Sequence, residues 1–465
     1  MTRTLRLIDL ARAKDRIEAR CAIDDLTFSF STWYEDVDLD ALAEEYGEQF
    51  ERIVFHVAMF QVNAVASLAP EAIDLGRYAK YATPAFLRLW STVFHNVWGQ
   101  WRWENKRPDY MPTFVAAPAT TASTPIALPA GPVELLAFCG GGKDSLVGLK
   151  LLERAGLPFA TLGYSHSIYG AAAAQHALLD RLGDATARVR AERQWIYDDF
   201  LDSPVLRMRP ELGIQTLTAA ETPASVFATL PLCLARGYKH MVLAHEASAN
   251  SGNLTWEATG EEVNHQWGKS FQAERLLADY VAKELVDVGY WSVLQPIHDE
   301  VIFELLTRDA DLAPLTHSCN VAKPWCGTCA KCVYVWLQMS AHLPPAIVHA
   351  TFGRDLGEVP ENDRWLRELL GLAEHSPFEC VGSPAEARLA LALMPFNGAP
   401  RGPHLEALAS ELLAADPQAL DVVSLAHPLL GVGEHAMPAH VAQTVMPLLE
   451  FAAGTARTRI AAAGL

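Results

Sequence analysis

The sequence predicts an α/β protein built on a parallel sheet, carrying a four-cysteine metal knuckle and flanked by mostly helical N- and C-terminal regions. Three observations predict it. From residue 133 onward, short apolar runs alternate with helical segments, the pattern of strands covered on both faces. A glycine-rich turn joins the first of these runs to the helix after it. Four of the eight cysteines fall in one short window downstream.

The elements follow in chain order. Residues 1–106 form a region rich in aromatics, with Phe28, Phe30, Trp33, Tyr34, Trp90, Trp98, Trp101 and Trp103. Leu39–Leu68 has few breakers and an amphipathic pattern, so this region is expected to be largely helical. The aromatic set is better suited to a core than to stacking on a base. Residues 107–132 hold six prolines among many Thr and Ala, which reads as a linker or an extended crossing segment. A core domain spans 133–340. Strands are expected over Val133–Phe138, Phe159–Tyr164, around Val189 and over Met241–Ala244. Helices are expected over Ser145–Ala155, Ala171–Leu182 and Ala219–Arg236. Residues 341–465 are helical in pattern, with prolines as punctuation.

Bulk properties narrow the function. The chain has 465 residues, half of them hydrophobic, and a formal net charge of −18. So acidic a surface repels polyphosphate, whose contacts dominate nucleic-acid affinity, and a nucleic-acid partner is not expected. No apolar stretch is long enough to span a membrane. The N-terminus lacks the apolar region of a signal peptide, so a cytoplasmic location is expected.

The most informative local sequence is Gly140-Gly141-Gly142-Lys143-Asp144-Ser145, placed between a strand and a helix. Three glycines let the backbone approach a ligand closely. The free amides and dipole of the helix start attract anionic oxygens. Lys143 adds a cation, Ser145 a hydroxyl, and Asp144 either orients the loop or helps hold Mg²⁺. The Gly-x4-Gly-Lys-Ser/Thr pattern of the ATPase P-loop is absent. The loop instead resembles the Ser-Gly-Gly-x-Asp-Ser loop of the N-type (PP-loop) ATP pyrophosphatases, with Gly140 in place of the first serine. The resemblance implies an adenine nucleotide α-hydrolase-like core that splits ATP between its α and β phosphates and adenylates a substrate oxygen.

Cys319, Cys326, Cys329 and Cys332 have the spacing of a closed zinc site. Four thiolates fill a tetrahedral shell and leave no position for a catalytic water, so the zinc would be structural. A redox pair is the alternative for the Cys-x2-Cys units. Ser318-Cys319 with Cys326-Gly327-Thr328-Cys329-Ala330-Lys331-Cys332 is similar to the cyano-deazaguanine synthases, over roughly Val133–Leu337.

Between the two motifs runs a polar stretch. His245, Glu246, Asn250 and Asn253 follow the Met241–Ala244 strand, and Asn264, His265, Gln266, Lys269 and Ser270 lie beyond. Such residues beyond a strand's carboxyl end suit recognition of a polar substrate. A solvated loop with capping residues is the plainer alternative. The layout of a pyrophosphate loop, this run and the cysteine cluster within a long chain resembles the UDP-N-acetylmuramoyl-L-alanyl-L-glutamate epimerases. That resemblance implies ATP and Mg²⁺ as cosubstrate and ion, a UDP-linked muramoyl dipeptide as substrate, and a functional link to a ligase that adds L-glutamate.

Adenylation would make sense for such a reaction, because deprotonating Cα beside a free carboxylate builds a dianion. An acyl adenylate gives an enolate that donors can stabilise. His245, Glu246 and His265 are the candidates for base and acid, beside Lys143 and Asp144 in catalysis. Cys139 and Cys233 are weaker ones. Asn250, Asn253, Asn264, Gln266, Lys269 and Ser270 are the expected substrate contacts. His166, after the second strand, is expected to line the adenosine pocket. His298, Asp299 and Glu300 either hold metal or cap a helix. The rival readings are an ATP-dependent carboxylate-to-nitrile ligase, a tRNA-thiolating pyrophosphatase and, from another class, a zinc-stiffened nucleotide sensor.

Overall fold

The computed structural model describes residues 3–63, 68–115, 119, 124–199 and 221–463. Its centre is a ten-stranded sheet. The strands are β1 (Thr4–Ala13), β2 (Arg16–Ile23), β3 (Leu26–Tyr34), β4 (Ala72–Asp74), β5 (Thr113–Phe114), β6 (Leu135–Cys139), β7 (Phe159–His166), β8 (Arg190–Asp198), β9 (His240–Leu243) and β12 (Gly289–Ser292). Two further strands, β10 (Leu254–Trp256) and β11 (Glu261–Val263), pair antiparallel as a separate hairpin.

The five strands β12-β9-β6-β7-β8 are all parallel. β6 lies in the middle. The chain moves to β7 and β8 on one side and to β9 and β12 on the other, so the strand order reverses at β6. Open parallel sheets bind ligands at such a switch point, beyond the carboxyl ends of the strands. Alternate residues of each strand enter different cores. Leu136, Ala160, Leu162, Met241, Leu243 and Tyr290 pack with the helices Glu48–Gln61, Pro84–Val97, Glu221–Arg236 and Phe271–Glu284. Leu135, Ala137, Cys139, Phe159, Val242 and Trp291 pack on the other face with Lys143–Arg154, Asp299–Leu306, Ala330–His342 and the C-terminal helices. Burial on both faces explains why these strands read as unbroken apolar runs.

The expected strands and helices of 133–244 are present, the helix Glu221–Arg236 beginning at the first described residue after 199. Residues 219–220 of the predicted helix lie outside the described residues, as does part of the 107–132 segment. What is described of that segment crosses the sheet end, where Ile126 bridges Val286 and the Gly131 amide donates to the Gly237 carbonyl.

The N-terminal region departs from its helical expectation. Thr4–Tyr34 is an antiparallel meander, and β3 joins the central sheet through β8, with Trp33 opposite Trp195. Its residues alternate: Leu5 and Leu7, Ile17, Ala19 and Cys21, then Phe28 and Phe30 are buried, with polar or charged residues between most of them. That period of two is a strand signal. The expectation holds for Leu39–Tyr46, Glu48–Gln61 and Pro84–Val97. The first is capped by Asp38, which accepts from the Asp40 and Ala41 amides, and the third by Thr83. The aromatics do serve as core: Trp90, Trp98 and Trp101 are buried, and Phe60 stacks on Phe227 at 4.0 Å between ring centres.

The C-terminal region is helical as expected, and several of its helices open with proline, including Pro384–Leu393 and Pro403–Ala415. Ser383 and Glu386 form a capping box. The same Glu386 carboxylate accepts from the Ser248 hydroxyl at 2.6 Å and the Asp299 amide at 3.1 Å, which ties this helix to the core behind the glycine turn.

Candidate active site

The glycine turn leaves β6 at Cys139 and enters the helix Lys143–Arg154, at the switch point. Gly141 has φ of +84°, a conformation that costs an L side chain roughly 1–2 kcal/mol. A Cβ there would also lie 2.1 Å from Nε2 of His317. His317 is buried, and its amide donates to the Gly141 carbonyl at 2.7 Å. Burial lowers its imidazole to about 4, so it is neutral. The Gly140 amide donates to the Ser145 hydroxyl at 3.0 Å, which closes the turn.

The turn forms one wall of a cavity of about 300 Å³. Gly140, Gly142, Asp144 and Ser145 line it, and so do His166, His245 and Cys139 at the ends of β7, β9 and β6. Three lysines also reach it: Lys269, Lys323 and Lys331. Among the described residues, two buried polar atoms at this cavity have no partner, the Ser318 hydroxyl and Nδ1 of His245. A bound ligand is what buried polar atoms of this kind need.

Lys143 is placed elsewhere. Its amine is buried on the inner side of the turn, where Asp144 and Asp299 hold it. Burial alone would push the amine down, but Asp144, Asp299 and Glu246 outweigh it and raise it above its ordinary range. Tyr334 donates to the second oxygen of Asp299 at 2.7 Å. Glu246 belongs to this buried cluster too. Burial and the charges of Asp144 and Asp299 raise its carboxyl to about 7. His298 precedes the helix Asp299–Leu306 without a side-chain capping bond and sits near Glu386, while Glu300 pairs with Arg459. Those three residues therefore serve the packing behind the loop. Among the described residues, the only group of three or more potential ligands close enough for one ion is the cysteine set.

The polar stretch divides in the same way. Asn250 bonds the Ala247 carbonyl and the Phe271 amide, Asn264 the Ala249 carbonyl and the Gln266 amide, and Gln266 the Val381 carbonyl. Asn253 holds the Pro377 carbonyl and the His265 amide. Ser270 caps the helix Phe271–Glu284. These side chains fix the loop's backbone and tie it to the segment 377–381. Lys269 alone of the expected substrate contacts lines the cavity.

Lys269 leads to a residue that the sequence did not single out. Its amine donates to Sγ of Cys380 at 2.9 Å. Cys380 lines the same cavity, and Lys331 donates to its carbonyl. His265 sits against the sulfur, and its Nδ1 is 2.7 Å from the Gln100 carbonyl oxygen. Burial would push the Cys380 thiol up, but Lys269, His265 and Lys331 override it and hold it well below its ordinary value. Glu221, whose carboxyl is raised chiefly by burial, also lines this part of the cavity. Cys139 and Cys233 behave oppositely: burial pushes Cys139 up to about 11, and Cys233 higher still. Burial likewise keeps His245 neutral, at about 3, and His166 at about 4. Cys380 is 111 residues from Lys269 in sequence, and no motif marks it.

Cys319, Cys326, Cys329 and Cys332 converge, with their sulfurs within 4.8 Å of one another. The 319–329 and 326–332 pairs are each 3.8 Å apart. Tetrahedral Zn–S bonds of about 2.3 Å place sulfurs roughly 3.8 Å apart, so the set fits zinc. Gly327 at φ +72° makes the knuckle's turn, and Cys329 caps the helix Ala330–His342.

Comparison with known proteins adds a second line. A model of the MurL N-terminal domain matches residues 222–293, and one of the MurL C-terminal domain matches residues 315–416. The chain is 32% identical over 270 residues to a UDP-N-acetyl-alpha-D-muramoyl-L-alanyl-L-glutamate epimerase of a Micromonospora species, 56% of each chain. It is 28% identical over 323 residues to the protein of that name from Salinispora tropica, 67% of this chain and 66% of that one. A third, from Xanthomonas oryzae pv. oryzae, is 30% identical over 304 residues, 60% of each. The match thus spans little more than half to about two thirds of these relatives' length. No solved structure matches the chain. The glycine turn lies outside both matched domains, whereas His245, His265, Lys269, the cysteine knuckle and Cys380 lie within them, and it is over those two segments that the chain resembles the MurL domains.

Proposed function

We propose that this chain is an ATP-dependent epimerase acting on the terminal L-glutamate of UDP-N-acetylmuramoyl-L-alanyl-L-glutamate in peptidoglycan precursor synthesis. The observation that carries the reading is a cavity built for an acidic ligand at the switch point of a parallel sheet, in a chain similar to proteins of that name. The amides at the helix start would take the phosphates, with Lys269, Lys323 and Lys331 supplying charge. Asp144 would hold Mg²⁺ with them, and the ion would neutralise charge on the leaving pyrophosphate. His166 and Ser318, which line the same cavity, would meet the rest of the nucleotide.

In this scheme the glutamate carboxylate attacks the α-phosphate. The carboxylate oxygen bonds to phosphorus, and pyrophosphate leaves. The acyl adenylate has a far more acidic Cα proton than the carboxylate, because its enolate carries one charge fewer. Removal of that proton and its return on the other face invert the centre, and water then releases AMP. The four cysteines hold a structural zinc. The substrate's L-glutamyl amide must come from an amide-forming ligase.

The test is incubation of the full chain with ATP, Mg²⁺ and the UDP-muramoyl dipeptide, followed by chiral analysis of the released glutamate. D-glutamate appearing in step with AMP and pyrophosphate is expected. Absence of both products, with folded protein, would reject the reading.

A further inference from the structure

A base for the Cα proton should touch the cavity, carry a lone pair and have room for substrate beside it. Most titratable groups expected there do not qualify. Glu246 lies behind the turn with Lys143, and His245 and His166 are buried imidazoles whose conjugate acids are too strong to retain a proton near neutrality. Cys139 holds its proton. Cys380 lies at the cavity wall in a set of neighbours unlike that of a packed thiol. Lys269 donates to its sulfur, His265 lies against it, and Gln100 anchors the far nitrogen of that imidazole. Gln100 is itself held by Glu104, to which its amide donates at 2.7 Å. Among the described residues, the acidic groups that face the sulfur are Glu221 and Glu379, with Tyr169 beside them. Two lysines and an imidazole outweigh them.

We propose that Cys380 is the catalytic residue that removes the Cα proton of the activated glutamyl group, with Lys269, His265 and Gln100 as the positioning residues that hold its sulfur at the cavity wall. The assignment rests on the epimerase reading above. In the step, the Cα–H bond breaks and an S–H bond forms. The electron pair moves onto the acyl oxygen as an enolate. The enolate then takes a solvent-derived proton on its opposite face, which restores the carbonyl, and the thiol returns its proton to water. A thiolate paired with a lysine fits this role, since the cation that stabilises it also faces the developing enolate charge.

The experiment follows Cα exchange in D₂O with ATP, Mg²⁺ and the dipeptide substrate, beside ATP–pyrophosphate exchange, in the full chain. The wild type is expected to place deuterium at Cα and to exchange pyrophosphate. Cys380→Ser should still exchange pyrophosphate at a measurable rate but lose Cα exchange and D-glutamate formation by about 100-fold or more, the usual worth of a positioned base. Gln100→Leu should move the rising limb of the kcat profile to higher pH, because a loosened His265 stabilises the thiolate less. A purely structural glutamine would leave that limb in place. Should Cys380→Ser fail to fold, iodoacetamide on the native protein gives the answer: Cys380 should alkylate at pH 7 faster than a free thiol and be protected by ATP. Cα exchange persisting in Cys380→Ser, sluggish alkylation of native Cys380, or a glutamyl thioester on Cys380 in the quenched wild type would overturn the assignment. A wild type with neither exchange nor D-glutamate would instead overturn the epimerase reading itself.

Discussion

Replacing Lys143 by methionine separates two roles for that lysine. A phosphate-binding lysine could be lost with little effect on folding. The lysine seen here closes a buried cluster in which Asp144 and Asp299 both hold its amine and Glu246 stands near. Lys143→Met fills nearly the same volume and leaves these carboxylates without their cation. Breaking a buried pair from one side costs roughly 3–5 kcal/mol. An unfolding entropy of about 2.1 cal/mol/K per residue makes a chain of this size lose roughly 1 °C of melting temperature per kcal/mol, so a drop of about 3–5 °C is expected. The deficit should depend on pH. Glu246 already has a carboxyl raised to about 7, chiefly by burial. An acid whose folded pKa is raised binds its proton more readily when folded, so stability falls as pH rises from about 4.5 through 7. In the variant that fall should be steeper, and the gap from wild type narrowest near pH 5. Calorimetry from pH 5 to 8, paired with ATP titration well below the melting temperature, measures both quantities. A variant that melts like wild type yet no longer binds ATP would refute the reasoning and return Lys143 to the phosphates.

Three further outcomes can be checked together. Gly141→Ala should weaken ATP binding by roughly 10- to 100-fold by titration calorimetry, since the left-handed backbone and the His317 ring both resist a Cβ, while Gly142→Ala, with ordinary φ, should cost less. The purified protein should contain one zinc per chain, and Cys329→Ser should lower its melting temperature, because ligation energy is folding energy; an unchanged melt would count against the knuckle. Glu274, with its carboxyl raised to about 8 by burial, should be protonated at neutrality. Glu274→Gln should then shift stability by less than about 1 kcal/mol near pH 6 and make the loss that the wild type shows as pH rises from about 4.5 through 8 shallower, leaving the part that Glu246 contributes. An unaltered slope would show that this carboxyl is not the source.

Much of the parallel core was legible because its strands are buried on both faces and its turn is glycine-rich. Leu135–Cys139 followed by Gly140–Gly142 needs no tertiary knowledge to be read as a strand and a tight turn into a helix. The four cysteines were legible for a similar reason, since their spacing alone nearly fixes their geometry. The meander of Thr4–Tyr34 was missed because its alternation is diluted by aromatic and hydroxyl residues on both faces. Side-chain direction was illegible as well. Lys143 follows three glycines as a phosphate ligand would, yet the helix start turns it toward Asp299, which is 156 residues away in sequence. The amides of Asn250, Asn253 and Asn264 read as substrate contacts, but they secure the loop's own backbone. Cys380 could not be found from sequence, because a lone thiol becomes notable only when Lys269 and His265 are brought to it.

The wall around Cys380 draws on the whole length of the polypeptide. Gln100 meets His265 across 165 residues, and Lys269 meets Cys380 across 111. A nascent chain still on the ribosome could complete its glycine turn early and yet lack the Lys269–Cys380 contact until its last third had emerged. Competence in such a molecule arrives late in synthesis, and loosening of the C-terminal helices alone would remove it while the central sheet stood intact.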